Sequence, residues 1–202
     1  MNLALLASLI ILALTMAHAI KQQSKKQTQT EESFWARERQ SNAVRKKPLD
    51  NLEYITIPVE RFPTDLLREN PAVLECIEIL ETLSAQKIVN FTGYSNTDLK
   101  LEYGTANITI LTEYDANYTV LVRTLQKWAD ILLENDYIAE AQSLMEFAVD
   151  TRTDVSRTYY KLAEIYASHL ETGRIHELIK TAETLHSSKK DTIVRTLRES
   201  YL

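Results

Sequence analysis

The sequence predicts an all-α fold, in which an N-terminal transmembrane helix is followed by pairs of antiparallel helices. Residues 1–20 contain no charged side chain. Only 3 Gly and 4 Pro occur among the 202 residues. Apolar residues also recur at helical spacing through the second half of the chain. So few backbone-breaking residues are typical of long helices rather than of a turn-rich β fold.

The first twenty residues have the length of a membrane span. At about 1.5 Å of rise per residue, a helix of this length reaches about 30 Å, which matches the hydrocarbon thickness of a bilayer. Lys21, Lys25 and Lys26 follow at once. Positively charged segments next to a membrane span usually remain on the cytoplasmic side, so these lysines place the C-terminal domain in the cytoplasm. We therefore expect a single-pass protein of the cell membrane.

The alternative is a signal peptide that is cleaved near Ala19. Ala17, His18 and Ala19 fit the small-x-small pattern of a cleavage site. However, Met1 and Asn2 supply no Lys or Arg, so the usual basic region before the apolar run is missing. Cleavage would release an exported soluble helical protein, with a binding or enzymatic function.

The chain has room for one domain of ordinary size after the anchor. We expect an anchor over 1–20, a basic juxtamembrane linker or helix over 21–50, an extended segment with capping helices over 51–117, and helical hairpins over 118–202. The single Cys76 excludes an internal disulfide, which agrees with a cytoplasmic domain.

Charge is unevenly distributed along the sequence. Residues 21–47 hold eight basic and three acidic side chains, a net charge of +5, so the remainder carries −10 of the total of −5. The basic segment favours binding to anionic lipid, and the alternative is that it serves only as a topology signal. The acidic remainder disfavours nucleic-acid binding.

The segment from Glu31 to Lys47 has good helix formers and ends before Pro48. Its large apolar residues are Phe34, Trp35 and Val44, which are too few to bury a helix face. We expect Phe34 and Trp35 to dock either on the domain or on lipid headgroups.

The middle of the chain contains one clear helix signal. Asn70 followed by Pro71 is typical of a helix start, and apolar residues then recur to Ser84. Cys76 lies on the apolar stripe, which indicates a buried side chain rather than a reactive thiol. Residues 52–57 are predicted to be extended, and 87–106 to connect through a short helix ending near Tyr103.

Two helical hairpins and a last helix are predicted from Tyr118 onward. The inward residues of the first hairpin are expected to be Tyr118, Leu121, Val122, Leu125, Trp128, Ala129 and Leu132, then Ile138, Ala141, Leu144, Met145 and Ala148. Those of the second are Val155, Tyr159, Leu162, Ala163 and Tyr166, then Ile175, Leu178, Ile179, Ala182 and Leu185, with Gly173 between the helices. The last helix uses Ile193, Val194 and Leu197. Trp128 and Ala141 are expected to face each other.

In these residues the chain resembles the tetratricopeptide family, whose unit is a helix pair of about 34 residues. Ala129, Ala141 and Ala148 stand at the small positions of the family, with Leu132 and Met145 at larger ones. Tyr159, Leu162, Ala163 and Tyr166 repeat the first-helix pattern. The match then slips by three residues at an inserted turn near 169–172, and the family's closing proline is absent.

The resemblance covers about residues 118–202. It implies a curved stack of helices that binds proteins, capped by the helix at 71–84. The layout also resembles that of membrane-anchored bacterial-type proteins with such a domain, a likeness that implies no activity.

No motif for catalysis, a cofactor or a metal stands out. The three glycines form no phosphate-binding loop, and there is no nucleophile elbow. His169 and His176 would share a face on a continuous helix, but Gly173 is expected to break it. We therefore expect no enzymatic activity, no cofactor, no metal and no small-molecule substrate. Three sequons, at Asn90, Asn107 and Asn117, matter only if the domain is exported.

The expected function is a membrane-tethered scaffold or adaptor for protein interaction. Residues 1–20 and the basic flank would contact lipid. In the tetratricopeptide-like register, the partner-binding groove contains Arg123, Lys127, Arg157 and Lys161. Such a strip suits the carboxylates of a protein or peptide partner. Alternatively, Asp130 and Glu164 pair with these cations.

Overall fold

The computed structural model describes residues 30–202 and the isolated positions Met16 and Gln23. No β-strand occurs among these residues, so the predicted all-α class is confirmed. The α-helices are α1 over 30–42, α2 Pro71–Ser84, α3 Asn96–Tyr103, α4 Ile108–Glu134, α5 Ile138–Asp150, α6 Ser156–Ser168, α7 Thr172–Glu183 and α8 Lys190–Tyr201. Short 3-10 turns lie at Val59–Arg61 and Thr105–Asn107.

The predicted anchor and the three lysines after it lie outside the described residues, apart from Met16. Within 30–202, none of the helices combines the length and the apolar character that a membrane span requires.

The chain divides into two compact units. The described part of the first unit combines residues 30–47 with Asn96–Asn107, and the second unit combines Pro48–Ser95 with Ile108–Leu202. The short helix predicted to end near Tyr103 is therefore present as α3, and it packs with α1 in the first unit.

Polar contacts join the two parts of the first unit. Glu38 on α1 accepts hydrogen bonds from Lys100 and from Thr97, the latter at 2.7 Å, and these bonds lower the pKa of its carboxyl. The buried amide of Asn107 donates to the carbonyls of Lys47 and Tyr103 at 2.8 and 2.7 Å. Gly104 has a positive φ of 88°, and a Cβ there would lie 2.1 Å from a backbone oxygen of Arg45.

The helical segment around Phe34 and Trp35 is shorter than predicted, because it ends at residue 42 rather than near Lys47. The two rings contact each other edge to face, with 5.4 Å between their centroids. They remain 56% and 57% exposed, and their docking on the domain or on lipid headgroups stays a prediction.

Helix α2 begins and ends where the sequence predicts. The side chain of Asn70 accepts a hydrogen bond from the backbone N–H of Ala72 at 2.9 Å, and Pro71 opens the first turn. Cys76 is fully buried on the stripe that faces the core. Residues 53–58 before this helix are non-helical, and the N–H of Ile55 donates to the carbonyl of Ile88 at 2.9 Å.

The second unit is a stack of antiparallel helices. Helix α2 packs on α4, α4 pairs with α5, α5 packs on α6, α6 pairs with α7, and α8 packs on both α6 and α7. Helix α4 begins at Ile108, well before Tyr118 at which the hairpins were expected to start. The turns after α4 and α6 contain Asp136 and Leu170, both in the left-handed region, with φ of 63° and 60°.

The starts of α7 and α8 follow those of α5 and α6 at a constant interval. Helix α5 begins at Ile138 and α7 at Thr172, and the positive-φ residues Asp136 and Leu170 are separated by the same distance along the chain. This spacing of 34 residues, from Ile138 to Thr172 and from Asp136 to Leu170, is what we call the repeat interval. The predicted slip of the match is therefore wrong. Gly173 does not separate the helices, because it lies in the first turn of α7 and the turn is formed by residues 169–171.

The predicted inward residues line the core with few exceptions. The prediction that Ile138 points inward is wrong, since this residue is 45% exposed at the start of α5. Val155 and Val194 are partly buried. Trp128 and Ala141 are both fully buried on adjoining helices, and the Trp128 ring lies 6.1 Å from that of Phe62, edge to face.

The core tyrosines are Tyr118, Tyr159 and Tyr166, and burial raises the pKa of each phenol.

The loop of residues 85–95 is bound to two turns of the helix stack. The side-chain amide of Asn90 lies within 2.9 Å of the Tyr118 hydroxyl and within 3.0 and 3.1 Å of the carbonyls of Thr151 and Arg152. Gly93, with φ of 92°, lies so close to the turn after α7 that a Cβ would be 2.5 Å from a backbone oxygen of His186.

Candidate functional site

The four predicted partner-binding residues, which we call the basic strip, lie on two helices of the second unit. Arg123 and Lys127 are on α4, and Arg157 and Lys161 are on α6. Lys161 is partly buried and the other three are exposed. They point away from the core because they lie between its buried positions, such as Leu125 on α4, along the helical repeat.

Helices α4 and α6 are joined directly beside the basic strip. The Arg157 Nε donates to both carboxylate oxygens of Asp130, at 2.8 and 3.0 Å. The hydroxyl of Thr158 donates to Gln126 Oε1 at 2.6 Å, and Gln126 in turn donates to Asp130 at 3.0 Å. These contacts bring the α6 cations alongside α4.

Three of the four cations already have a carboxylate partner. Lys161 pairs with Glu164 at 2.7 Å, three residues along the same helix, as the alternative interpretation expected. Asp130 instead pairs with Arg157 on another helix. Lys127 pairs with Glu75 on α2 at 2.5 Å, and this hydrogen bond raises the pKa of the lysine. Ion pairs as exposed as these contribute about 0–1 kcal/mol each, so carboxylates of a partner can exchange with them.

Among the unpaired exposed arginines of the second unit, two lie on the helices of the stack, on α4 and α8. The guanidinium of Arg123 makes no hydrogen bond or ion pair with any described residue. The same holds for Arg195 on α8, which lies one repeat interval after Lys161 and so continues the strip onto a third helix. The sequence reasoning missed Arg195, although the repeat interval was the signal for it. The residue one repeat interval after Arg157 is Asp191, so the position of Arg157 is not basic on α8.

A cavity of about 540 Å³ lies beside Arg195, between the end of α7 and α8. It is lined by Glu183, Lys190, Asp191, Val194, Arg195, Arg198 and Glu199. Glu183 and Arg198 form an ion pair across it. Because Val194 is the only apolar residue in this lining, the cavity lacks the apolar walls of a typical small-molecule site.

Three side chains of the second unit are candidates for other chemistry, namely Cys76, His169 and His176, and Cys76 lies near Lys127 of the strip. Burial raises the pKa of the Cys76 thiol, so its thiolate is disfavoured and the structural interpretation of this residue is confirmed. His169 follows the end of α6, and His176 Nδ1 lies 2.9 Å from the carbonyl of Thr172 within α7. Among residues 30–202, no three His, Cys, Asp or Glu side chains come close enough together to hold a metal ion.

No protein-family model, no curated protein and no solved structure matches this chain.

Proposed function

We propose that the chain is a membrane-tethered scaffold whose second unit is a tetratricopeptide-like stack that binds a protein partner. The repeat interval between equivalent positions carries this proposal. Leu144 and Met145 on α5 are followed one repeat interval later by Leu178 and Ile179 on α7, and all four are buried. A stack of equal helix pairs has extended side faces, which such proteins use for binding other proteins.

The proposed ligand is an acidic segment of a partner protein, bound by the basic strip and Arg195. Arg123 and Arg195 offer guanidinium groups that have no partner among the described residues. Arginine binds a carboxylate through two parallel hydrogen bonds, which gives both strength and orientation. The second unit acts here as a binding module and not as an enzyme.

The proposed tether is residues 1–20, with the basic flank on anionic lipid and the C-terminal domain in the cytoplasm. The environment of two sequons supports this placement. The side-chain amides of Asn90 and Asn107 donate hydrogen bonds inside their units, so a glycan attached to either nitrogen would disrupt these contacts. A domain that never meets the glycosylation machinery avoids this conflict.

Partner capture tests the binding surface. The full chain, the variant Arg157→Glu with Lys161→Glu, and a control with Arg68→Glu and Lys180→Glu are used to capture proteins from a membrane extract. The two double variants change the net charge equally, and the two control residues are exposed and lie outside the basic strip. We expect the strip variant to lose partners that the control retains. Equal retention by all three proteins would reject the basic strip as a binding surface.

The tether is tested by the mass of the protein isolated from membranes and by protease access in intact cells. Retention of Met1 to Ile20, with the domain protected, is the expected result. A mature protein that starts at Ile20 would favour the exported alternative.

A further inference from the structure

Helix α1 leaves two large aromatic side chains in solvent. Phe34 and Trp35 are more than half exposed, and among the aromatic rings of residues 30–202 they contact only each other. The other tryptophan, Trp128, is fully buried in the second unit. Aromatic side chains carry the largest apolar surfaces, and an adjacent exposed pair is typical of a contact surface rather than of a solvated helix.

The place of this pair in the sequence indicates what covers it. Thirteen residues separate Ile20, at the end of the apolar stretch, from Phe34. Such a segment spans about 20 Å as a helix and at most about 45 Å when extended. If residues 1–20 cross the bilayer, the aromatic pair lies within reach of the lipid surface. Lys21, Lys25 and Lys26 add positive charge to the segment between Ile20 and Phe34.

The chemistry of the surrounding helix face fits a lipid interface. Tryptophan suits the headgroup layer because its ring is apolar while the indole N–H can donate to a lipid oxygen, and the phenylalanine ring adds apolar surface beside it. Arg39 lies one turn after Trp35, is exposed, and its guanidinium has no hydrogen-bond or ion-pair partner among residues 30–202. Glu31, one turn before Trp35, offsets part of this charge, so the rings are the main attachment.

We propose that Phe34 and Trp35 insert into the headgroup layer of the membrane and make α1 a second membrane contact. This inference rests on the proposed anchor. It adds that the first unit is held on the lipid surface and is not suspended in the solvent by a free linker.

The two tryptophans of the chain make the test specific. The full-length protein is reconstituted in vesicles whose lipids carry bromine near the glycerol end of the acyl chain, a quencher of indole fluorescence. The Trp35→Phe variant reports on Trp128 alone, and the difference between the two proteins gives the emission of Trp35. We expect Trp35 to lose half or more of its intensity and Trp128 to lose none, because Trp128 is buried in the core.

Flotation of the vesicles separates failure of this inference from failure of the anchor. If the protein does not float with the vesicles, the proposed anchor is rejected. Protein that floats, with Trp35 unquenched by bromine but accessible to aqueous acrylamide, rejects the lipid contact alone. Protection of Trp35 from both quenchers also overturns the inference, because a second copy or another protein would then cover the rings. Phe34→Ser provides a further variant, in which quenching of Trp35 is expected to fall.

Discussion

Replacing Asn90 with alanine is expected to destabilise the second unit by about 2 kcal/mol. The side-chain amide of this residue is the donor that holds the 85–95 loop against Tyr118 and against the turn between α5 and α6. Alanine keeps the backbone and removes both N–H groups. The Asn90 Oδ1, which accepts a hydrogen bond from the N–H of Thr92 at 2.9 Å, is lost as well.

The magnitude follows from the groups that lose a partner. An NH₂ group has two protons for the three acceptors around Asn90, so two hydrogen bonds form at one time. The carbonyl of Thr151 keeps the Tyr118 hydroxyl as a donor at 3.1 Å, which limits the loss there. The carbonyl of Arg152 loses the Asn90 amide. At about 1 kcal/mol for each group left without a partner, the Arg152 carbonyl and the Thr92 N–H, the total is about 2 kcal/mol, which corresponds to a fall in Tm of about 4–8 °C.

The assay is chemical unfolding of the full chain in detergent, followed by the fluorescence of Trp128 in a Trp35→Phe background. Asn117→Ala is the matched control, because it also removes a side-chain amide, one that donates a single exposed hydrogen bond to the carbonyl of Lys87 at 3.0 Å. We expect the control to change stability by less than about 0.5 kcal/mol. Equal and small effects of the two substitutions would refute the role assigned to Asn90.

Three further predictions concern packing, backbone conformation and pH. Ala141→Glu is expected to cost several kcal/mol because the residue is fully buried, whereas Ile138→Glu, at an exposed position of the same helix, should be nearly neutral in the same unfolding assay. Gly173→Ala should stabilise the fold by about 0.5–1 kcal/mol, since no atom lies within 4 Å of the added Cβ. Gly104→Ala should lower the Tm seen by circular dichroism, because its Cβ would collide with Arg45. Finally, burial raises the pKa of the core tyrosines, so the folded chain keeps their protons to a higher pH than the unfolded chain. The contribution of these phenols to the unfolding free energy should therefore be constant up to their ordinary pKa of about 10 and decrease above it. A urea midpoint that stays constant well above that pH would contradict this.

Local signals in the sequence were sufficient to predict much of the helical structure of the second unit. The start of α2 was predictable because Asn70 and Pro71 act within one turn of the chain. The buried stripes of α4 to α7 were predictable because a helix that packs on one side repeats its apolar residues at a spacing of about 3.6 positions.

The errors fall where local patterns do not determine the structure. A glycine is the usual residue of a helix-ending turn, but the turn after α6 uses Leu170 in the left-handed region at 60°, a conformation that side chains with a Cβ rarely adopt. The sequence interpretation treated residues 169–172 as an inserted turn, and this produced the false slip in the repeat. Ile138 fits the apolar spacing, but it is the first residue of its helix, where the core no longer covers the face.

The candidate site was predicted in position but not in its pairing. The helical repeat placed the basic strip on exposed surfaces of α4 and α6. That Arg157 reaches Asp130 on another helix depends on tertiary packing, about which the spacing of residues along one helix carries no information.

The division of the first unit into two sequence segments constrains how the protein can fold and be truncated. Lys47 and Asn96, the inner ends of these segments, are separated by the whole of 48–95, which belongs to the second unit. Closing a flexible loop of that length costs about 3 kcal/mol of chain entropy. That cost falls if 48–95 is already folded, which favours late assembly of α1 with α3 during synthesis. A fragment that begins near residue 51 would retain α3 but lose the Glu38 carboxylate that binds Lys100, so expression boundaries should either keep residues 30–47 or remove both segments.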